Sequence, residues 1–117
     1  MTLLLQILIP LGILNVWVLR AGRATRYRGG EARSLKQEFA AYGLPGWMFY
    51  TIGTLKLSAS LAIFIGIFYP EWTRPGAAVI SFLMLGALTM HVKVRDPLSK
   101  SMPAALMLLM SLFLVLA

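Results

Sequence analysis

The chain has 117 residues, 59% of them hydrophobic and 13% charged, with a net charge of +7 and no cysteine. A soluble domain carries about 25% charged residues, so this composition points to one membrane-embedded domain instead. The missing cysteines exclude thiolate nucleophiles, disulfide exchange and thiolate-bound metals, and the positive charge lies beside apolar runs, where it meets lipid headgroups rather than nucleic acid.

The first apolar segment covers about residues 2–20, interrupted by Gln6, Pro10 and Asn15. No lysine or arginine precedes it, while Arg20, Arg23, Arg26 and Arg28 follow it. A signal peptide has the opposite arrangement, so the segment reads as an uncleaved first helix. Pro10 is expected to kink it. Asn15 shares a helical face with Gly12, which suggests that this side meets a partner helix. The polar stretch from Arg20 to Lys36 contains a break at Gly29 and Gly30. From Glu31 onward, Leu35, Phe39, Ala40 and Tyr42 against Lys36, Gln37 and Glu38 predict a short amphipathic helix at the membrane surface. A turn over residues 42–46 follows, and Pro45 is placed to open the next helix.

The second apolar segment, about 45–69, is long enough to cross a bilayer. Trp47, Phe49 and Tyr50 begin it and Phe68 and Tyr69 end it, as suits the two lipid–water boundaries. Lys56 stands near its middle, about 13 Å deep at 1.5 Å per residue. A lysine there costs roughly 2.5–3.5 kcal/mol on insertion scales, so it should face protein or a wet cavity. Its helical neighbours Gly53, Ala59 and Ser60 form a small, polar face suited to helix contact. Ala62 and Gly66 add a small-xxx-small spacing. The third segment is expected over about 75–92, with Thr73 as its N-cap. The fourth is expected over 97–117, with Asp96 as N-cap and Pro97 in the first turn. Pro103 is expected to kink that helix, and Ser101 is the alternative start.

The fold expected is all-α: one domain, residues 1–117, forming an antiparallel four-transmembrane-helix bundle with a short amphipathic helix between the first two spans. Arg20 to Lys36 contributes six basic residues and Lys93, Arg95 and Lys100 contribute three, against Arg74 alone in the link between the second and third segments. That bias places both basic loops in the cytoplasm and both termini in the periplasm of a bacterial inner membrane.

Asn15, Glu38, Tyr42, Lys56, His91 and Asp96 fall at one level of such a bundle, so they form the expected binding cluster. The competing reading is that these groups only fix helix packing. A lone histidine without cysteine or a second histidine argues against a metal or bis-ligated haem. Asp96 reads more naturally as a cap than as an acid. The methionines at 84, 90, 102, 107 and 110 read as packing. No catalytic constellation is evident, and no cofactor is implied, although quinone or lipid would suit the helices.

Several stretches also carry a resemblance. Glu38-Phe39-x-x-Tyr42-Gly43-Leu44-Pro45, Ile52-Gly53-x-x-Lys56 and His91-x-x-Val94-x-Asp96-Pro97-Leu98 resemble the DoxX-like family, and the last also resembles its NACHO branch. The resemblance implies four transmembrane helices. NACHO proteins are endoplasmic-reticulum chaperones for nicotinic acetylcholine receptors, and DoxX relatives are linked to membrane redox complexes and thiosulfate–quinone chemistry. Many relatives carry a glutamate where this chain has Lys56, so a cation or proton role does not carry over. The expected function is that of a non-enzymatic helper that binds other membrane proteins, a homodimer being compatible with this. The alternatives are a quinone- or apolar-ligand-binding subunit of a redox complex and, third, a small transporter.

Overall fold

In lipid every backbone amide must be satisfied internally, and a helix does this within one segment. The structure, a computed structural model, describes residues 1–19 and 35–117, without the side chains of Val18, Leu19, Leu35, Glu38 and Ala41. Helices and turns account for most of the described residues. The end of the first helix at residue 20, Arg20 to Arg33 and the Gly29–Gly30 break lie outside them.

Helix α1 (Thr2–Leu14) continues into a π-helical turn, Asn15–Leu19. The short surface helix is α2 (Leu35–Ala41). Then come α3 (Gly46–Ile65), a 3-10 turn at Pro70–Trp72, α4 (Thr73–Lys93) and α5 (Leu98–Leu116). Among the described residues, three stretches are long and apolar enough to span a bilayer: Gly46–Ile65, Pro70–Lys93 and Leu98–Leu116. The apolar helix Thr2–Trp17 is shorter. The 20 residues of α3 rise about 30 Å, the thickness of a hydrocarbon core.

The helices close into a ring: α1 packs on α3, α3 on α4, α4 on α5 and α5 on α1, with α2 lying against α3. Their directions alternate. Gln6 near the start of α1 reaches Thr73 at the start of α4, and Gly66 just after α3 abuts the same threonine. At the opposite end, Trp17 meets Gly53. The long dimension is 40 Å.

The core follows each helix's buried stripe. In α1 and the turn that continues it, the stripe is Leu5, Ile9, Ile13 and Trp17, at a constant spacing of four, with Gln6 beside it. In α3 it is Gly53, Lys56, Ala59, Ser60 and Ile63, the small face expected around the lysine. Gly76 of α4 sits against the Ala59 carbonyl and the Ala62 and Ile63 side chains, so close that an added Cβ would lie 2.8 Å from that carbonyl. The outer faces carry Leu55, Leu61, Phe64, Phe82, Leu85, Leu106 and Leu109, all exposed. An apolar exterior of this extent is what lipid-facing helices present.

Two helix ends share one geometry. After α2, Gly43 has φ +77°, its amide donates to Ala40 O and the Leu44 amide donates to Phe39 O. After α4, Arg95 has φ +57°, its amide donates to Val92 O and the Asp96 amide donates to His91 O. Both are Schellman caps, in which one left-handed residue turns the chain back and satisfies the last carbonyls. Glycine does this freely at position 43; arginine at position 95 bears the steric cost of a Cβ.

Two expected caps differ. Thr73 is the first residue of α4 rather than its cap, and Trp72 takes the cap position without a side-chain bond. The Thr73 hydroxyl instead accepts a hydrogen bond from Gln6 Nε2 at 2.8 Å, because a buried amide has the stronger need of a partner. Asp96 is likewise not the cap of α5; Pro97 holds that position, and the carboxylate turns back to His91. Helix α5 starts at Leu98, one residue after the expected Pro97 and ahead of the alternative start at Ser101.

Candidate functional site

Gly53 decides where the site lies. With no side chain of its own, it lets the Trp17 ring rest on the α3 backbone; an added Cβ would stand 2.6 Å from Trp17 Cζ3. The ring is buried and boxed. Phe49 stacks on it at 5.3 Å between centroids, and Phe39 meets it edge-on at 5.8 Å. The Lys56 ammonium lies over the same ring, 5.0 Å from its centroid. Lys56 is only 9% exposed. A cation over an indole face is worth about 0.5–2 kcal/mol, the upper value when desolvated. The tryptophan thus helps hold a charge at membrane depth.

On the α4 side of Lys56 lies a half-open pocket of about 420 Å³. Met48, Ile52 and Lys56 of α3 form one wall, Phe82, Leu83, Leu85, Gly86, Ala87, Thr89 and Met90 of α4 the other, and Phe39, Tyr42 and Leu44 the floor. Phe39 and Leu44 are the two ends of the Schellman cap after α2, so that cap places the floor. Phe82, Leu85, Gly86 and Thr89 are exposed residues, so the mouth opens toward the lipid-facing side of the bundle. Thr89 Oγ1 donates to Leu85 O, which turns its proton away from the opening. Among the described lining residues Lys56 is the charged one.

Below the floor is a second polar group. His91 Nδ1 and Asp96 Oδ2 are 2.9 Å apart, both side chains nearly fully buried. Asp96 therefore binds His91 twice, through its amide to the carbonyl and through its carboxylate to the ring. Lys100 stands 3.8 Å from the other carboxylate oxygen. The Tyr42 ring meets His91 edge-on at 5.9 Å, and Lys93 Nζ donates to Tyr42 O at 2.9 Å. Lysine in the last turn of α4 thereby caps a carbonyl at the end of α2 and fastens the floor to the hairpin.

Of the residues singled out in the sequence, Tyr42, Lys56, His91 and Asp96 gather at this end, with Tyr42 and Lys56 on the pocket and the other two beneath it. Asn15 does not join them. It is exposed, because it lies two residues, about 200° of α-helical turn, from Ile13 on the buried stripe. The Glu38 side chain is outside the described residues. The sequence reading passed over Trp17, which only the long-range approach to Gly53 brings to the site, and the α4 wall, whose residues look like ordinary lipid-facing positions. It also passed over Gln6–Thr73 and the 2.8 Å bond from Ser81 Oγ to Ser111 Oγ, which join helices away from the site.

A family model described as the DoxX-like family matches residues 6–114. No curated protein and no solved structure matches the chain.

Proposed function

The chain belongs to the DoxX-like family, and from that premise we propose that it is a non-enzymatic membrane protein whose α3–α4 pocket takes up a small apolar molecule from the bilayer. The pocket itself carries the reading. It is apolar, opens sideways where lipid lies, and places one cation and Tyr42 among its walls. Its volume falls in the range of about 300–1,000 Å³ usual for ligand sites. A quinone or a lipid fits this description, and binding one is the contribution such a chain makes as a subunit of a membrane redox complex. The charge distribution supports a bacterial inner membrane with the His91 end on the cytoplasmic side.

The test uses the tryptophans. The double variant Trp47→Phe, Trp72→Phe leaves Trp17 as the sole indole, in contact with Lys56. Titrating it in nanodiscs with a short-chain quinone, and separately with a single-chain lipid, should quench or shift its emission saturably with at least one. A flat response to both sinks the pocket reading.

One observation favours a second reading, a helper for other membrane proteins. Gly86 is exposed and an added Cβ there would meet nothing within 4 Å. A small residue on a lipid-facing surface lets another helix approach closely. In-membrane crosslinking from position 86 should then trap one defined partner, a second copy of this chain included; absence of any adduct from a functioning crosslinker counts against it. A cation transporter is not favoured, since the sequence puts no carboxylate in an apolar run.

A further inference from the structure

The outer face of α1 carries a pattern that the pocket does not use. Leu4, Leu8 and Leu11 are exposed there. Asn15, which keeps helical angles of φ −57° and ψ −49°, is exposed as well. The spacing is four, three and four. At about 100° per residue the four positions fall within a strip about 60° wide. The strip is turned about 130° from the line of Leu5, Ile9 and Ile13 that meets the core. Leucines at this spacing with one asparagine form the a/d seam of a two-helix coiled coil, in which the single polar residue sets register and partner number.

Depth gives the asparagine its force. Trp17 meets Gly53, and α3 begins at Gly46, so this contact lies about 10 Å into α3. Asn15 stands two residues, about 3 Å, further toward the middle of the bundle. Its side chain meets no hydrogen-bond partner among the described residues, and a carboxamide offers two donors and an acceptor. Hydrocarbon supplies no partner for them, and the short side chain cannot reach the headgroups as a lysine stem can.

We propose that this strip of α1 pairs with the same strip of a second copy, in a parallel dimer with Asn15 hydrogen-bonded to Asn15. Two copies inserted in one orientation are related by a two-fold axis along the membrane normal, so each residue meets its own counterpart at its own depth. A carboxamide is donor and acceptor at once and therefore complements its own image. The strip of Leu4, Leu8, Leu11 and Asn15 carries no charge that would repel its copy. This complementarity selects the second copy over a foreign helix, which would have to bring a polar group to the same depth. The α1 strip is independent of the α3–α4 pocket, so its failure leaves the pocket reading untouched.

The chain has no cysteine, so single-cysteine variants report without background. In phosphatidylcholine–phosphatidylglycerol liposomes, oxidation should join copies through Leu4→Cys, Leu8→Cys and Leu11→Cys. Leu3→Cys and Leu14→Cys, equally exposed but about 90–110° away from the strip, should join far less. Energy transfer between labelled copies, followed as lipid is added, measures the association itself. Asn15→Leu should raise the protein density needed for half-association about 3- to 30-fold, and Asn15→Gln, which keeps the amide, should recover much of the loss. No self-association at any density overturns the proposal, as does an unchanged density for Asn15→Leu. Equal joining at positions 3, 4, 8, 11 and 14, or joining through Gly86→Cys in place of the α1 positions, overturns the assigned face. Should Asn15→Leu fail to fold, the cysteine series alone still decides.

Discussion

The contact of Gly53 with Trp17 yields the most sharply testable stability change. In Gly53→Ala the new methyl carbon would meet Trp17 at 2.6 and 2.9 Å, where ordinary contact begins near 3.4 Å. The ring must therefore retreat by about 0.8 Å, the shortfall from 2.6 to 3.4 Å. It has nowhere open to go, with Phe49 stacked on it, Phe39 at its edge and Lys56 above it. Overpacking of this kind costs about 1–3 kcal/mol. Against that stands the helix-propensity gain of glycine to alanine, about 0.8–1 kcal/mol. Gly86→Ala makes the same chemical change in α4 with nothing within 4 Å, so it takes the gain without the clash. The gap between the two variants, about 1–3 kcal/mol in favour of Gly86→Ala, isolates the steric term. Unfolding of the purified protein in mixed micelles by sodium dodecyl sulfate, followed by circular dichroism, measures both. If the two variants prove equally stable, Trp17 yields freely and the picture of a fixed seat for Lys56 is wrong.

Three further predictions use the same assay. The left-handed residues should respond with opposite signs: Gly43→Ala loses about 1–2 kcal/mol, while Arg95→Gly gains up to about 1 kcal/mol because the Cβ penalty disappears. Replacing Asp96 or His91 by alanine should cost about 1.5–3 kcal/mol each, and the double variant should cost clearly less than the sum; strict additivity would contradict the 2.9 Å bond. Ser60 Oγ is buried without a hydrogen-bond partner among the described residues, so Ser60→Ala should be neutral or stabilising by about 1 kcal/mol. Ser111→Ala, which removes a bonded hydroxyl, should destabilise by about 0.6 kcal/mol; the reverse order for the two serines would refute that assignment.

Much of the architecture was legible because apolar run length and turn chemistry are local. Gly43 and Pro45 mark the turn before α3, and the spacing of Gly53, Ala59 and Ser60 around Lys56 identified its buried face. Local rules failed where a side chain had a distant competitor. Thr73 and Asp96 look like N-caps on sequence, yet Gln6, 67 residues away, and the ring of His91 claim them instead. Asn15 was read with Gly12, but the bulkier ridge of Leu5, Ile9, Ile13 and Trp17 decided which way α1 faces. The pocket was illegible for a different reason. Its outer wall consists of residues whose types are unremarkable for a lipid-facing helix, and its shape depends on α3 and α4 standing apart there.

The bond between Ser81 and Ser111 has a consequence for how α4 and α5 align along their lengths. Leucine and methionine surfaces slide past one another with little change in contact, so grease alone does not choose among neighbouring registers. A slip of one helical turn, about 5.4 Å, would pull these two oxygens out of reach of each other. Gln6 and Thr73 likewise fix an axial position for α1 against α4. Two polar pairs thus index a sliding assembly, much as notches on a scale fix one setting among many that would otherwise feel the same.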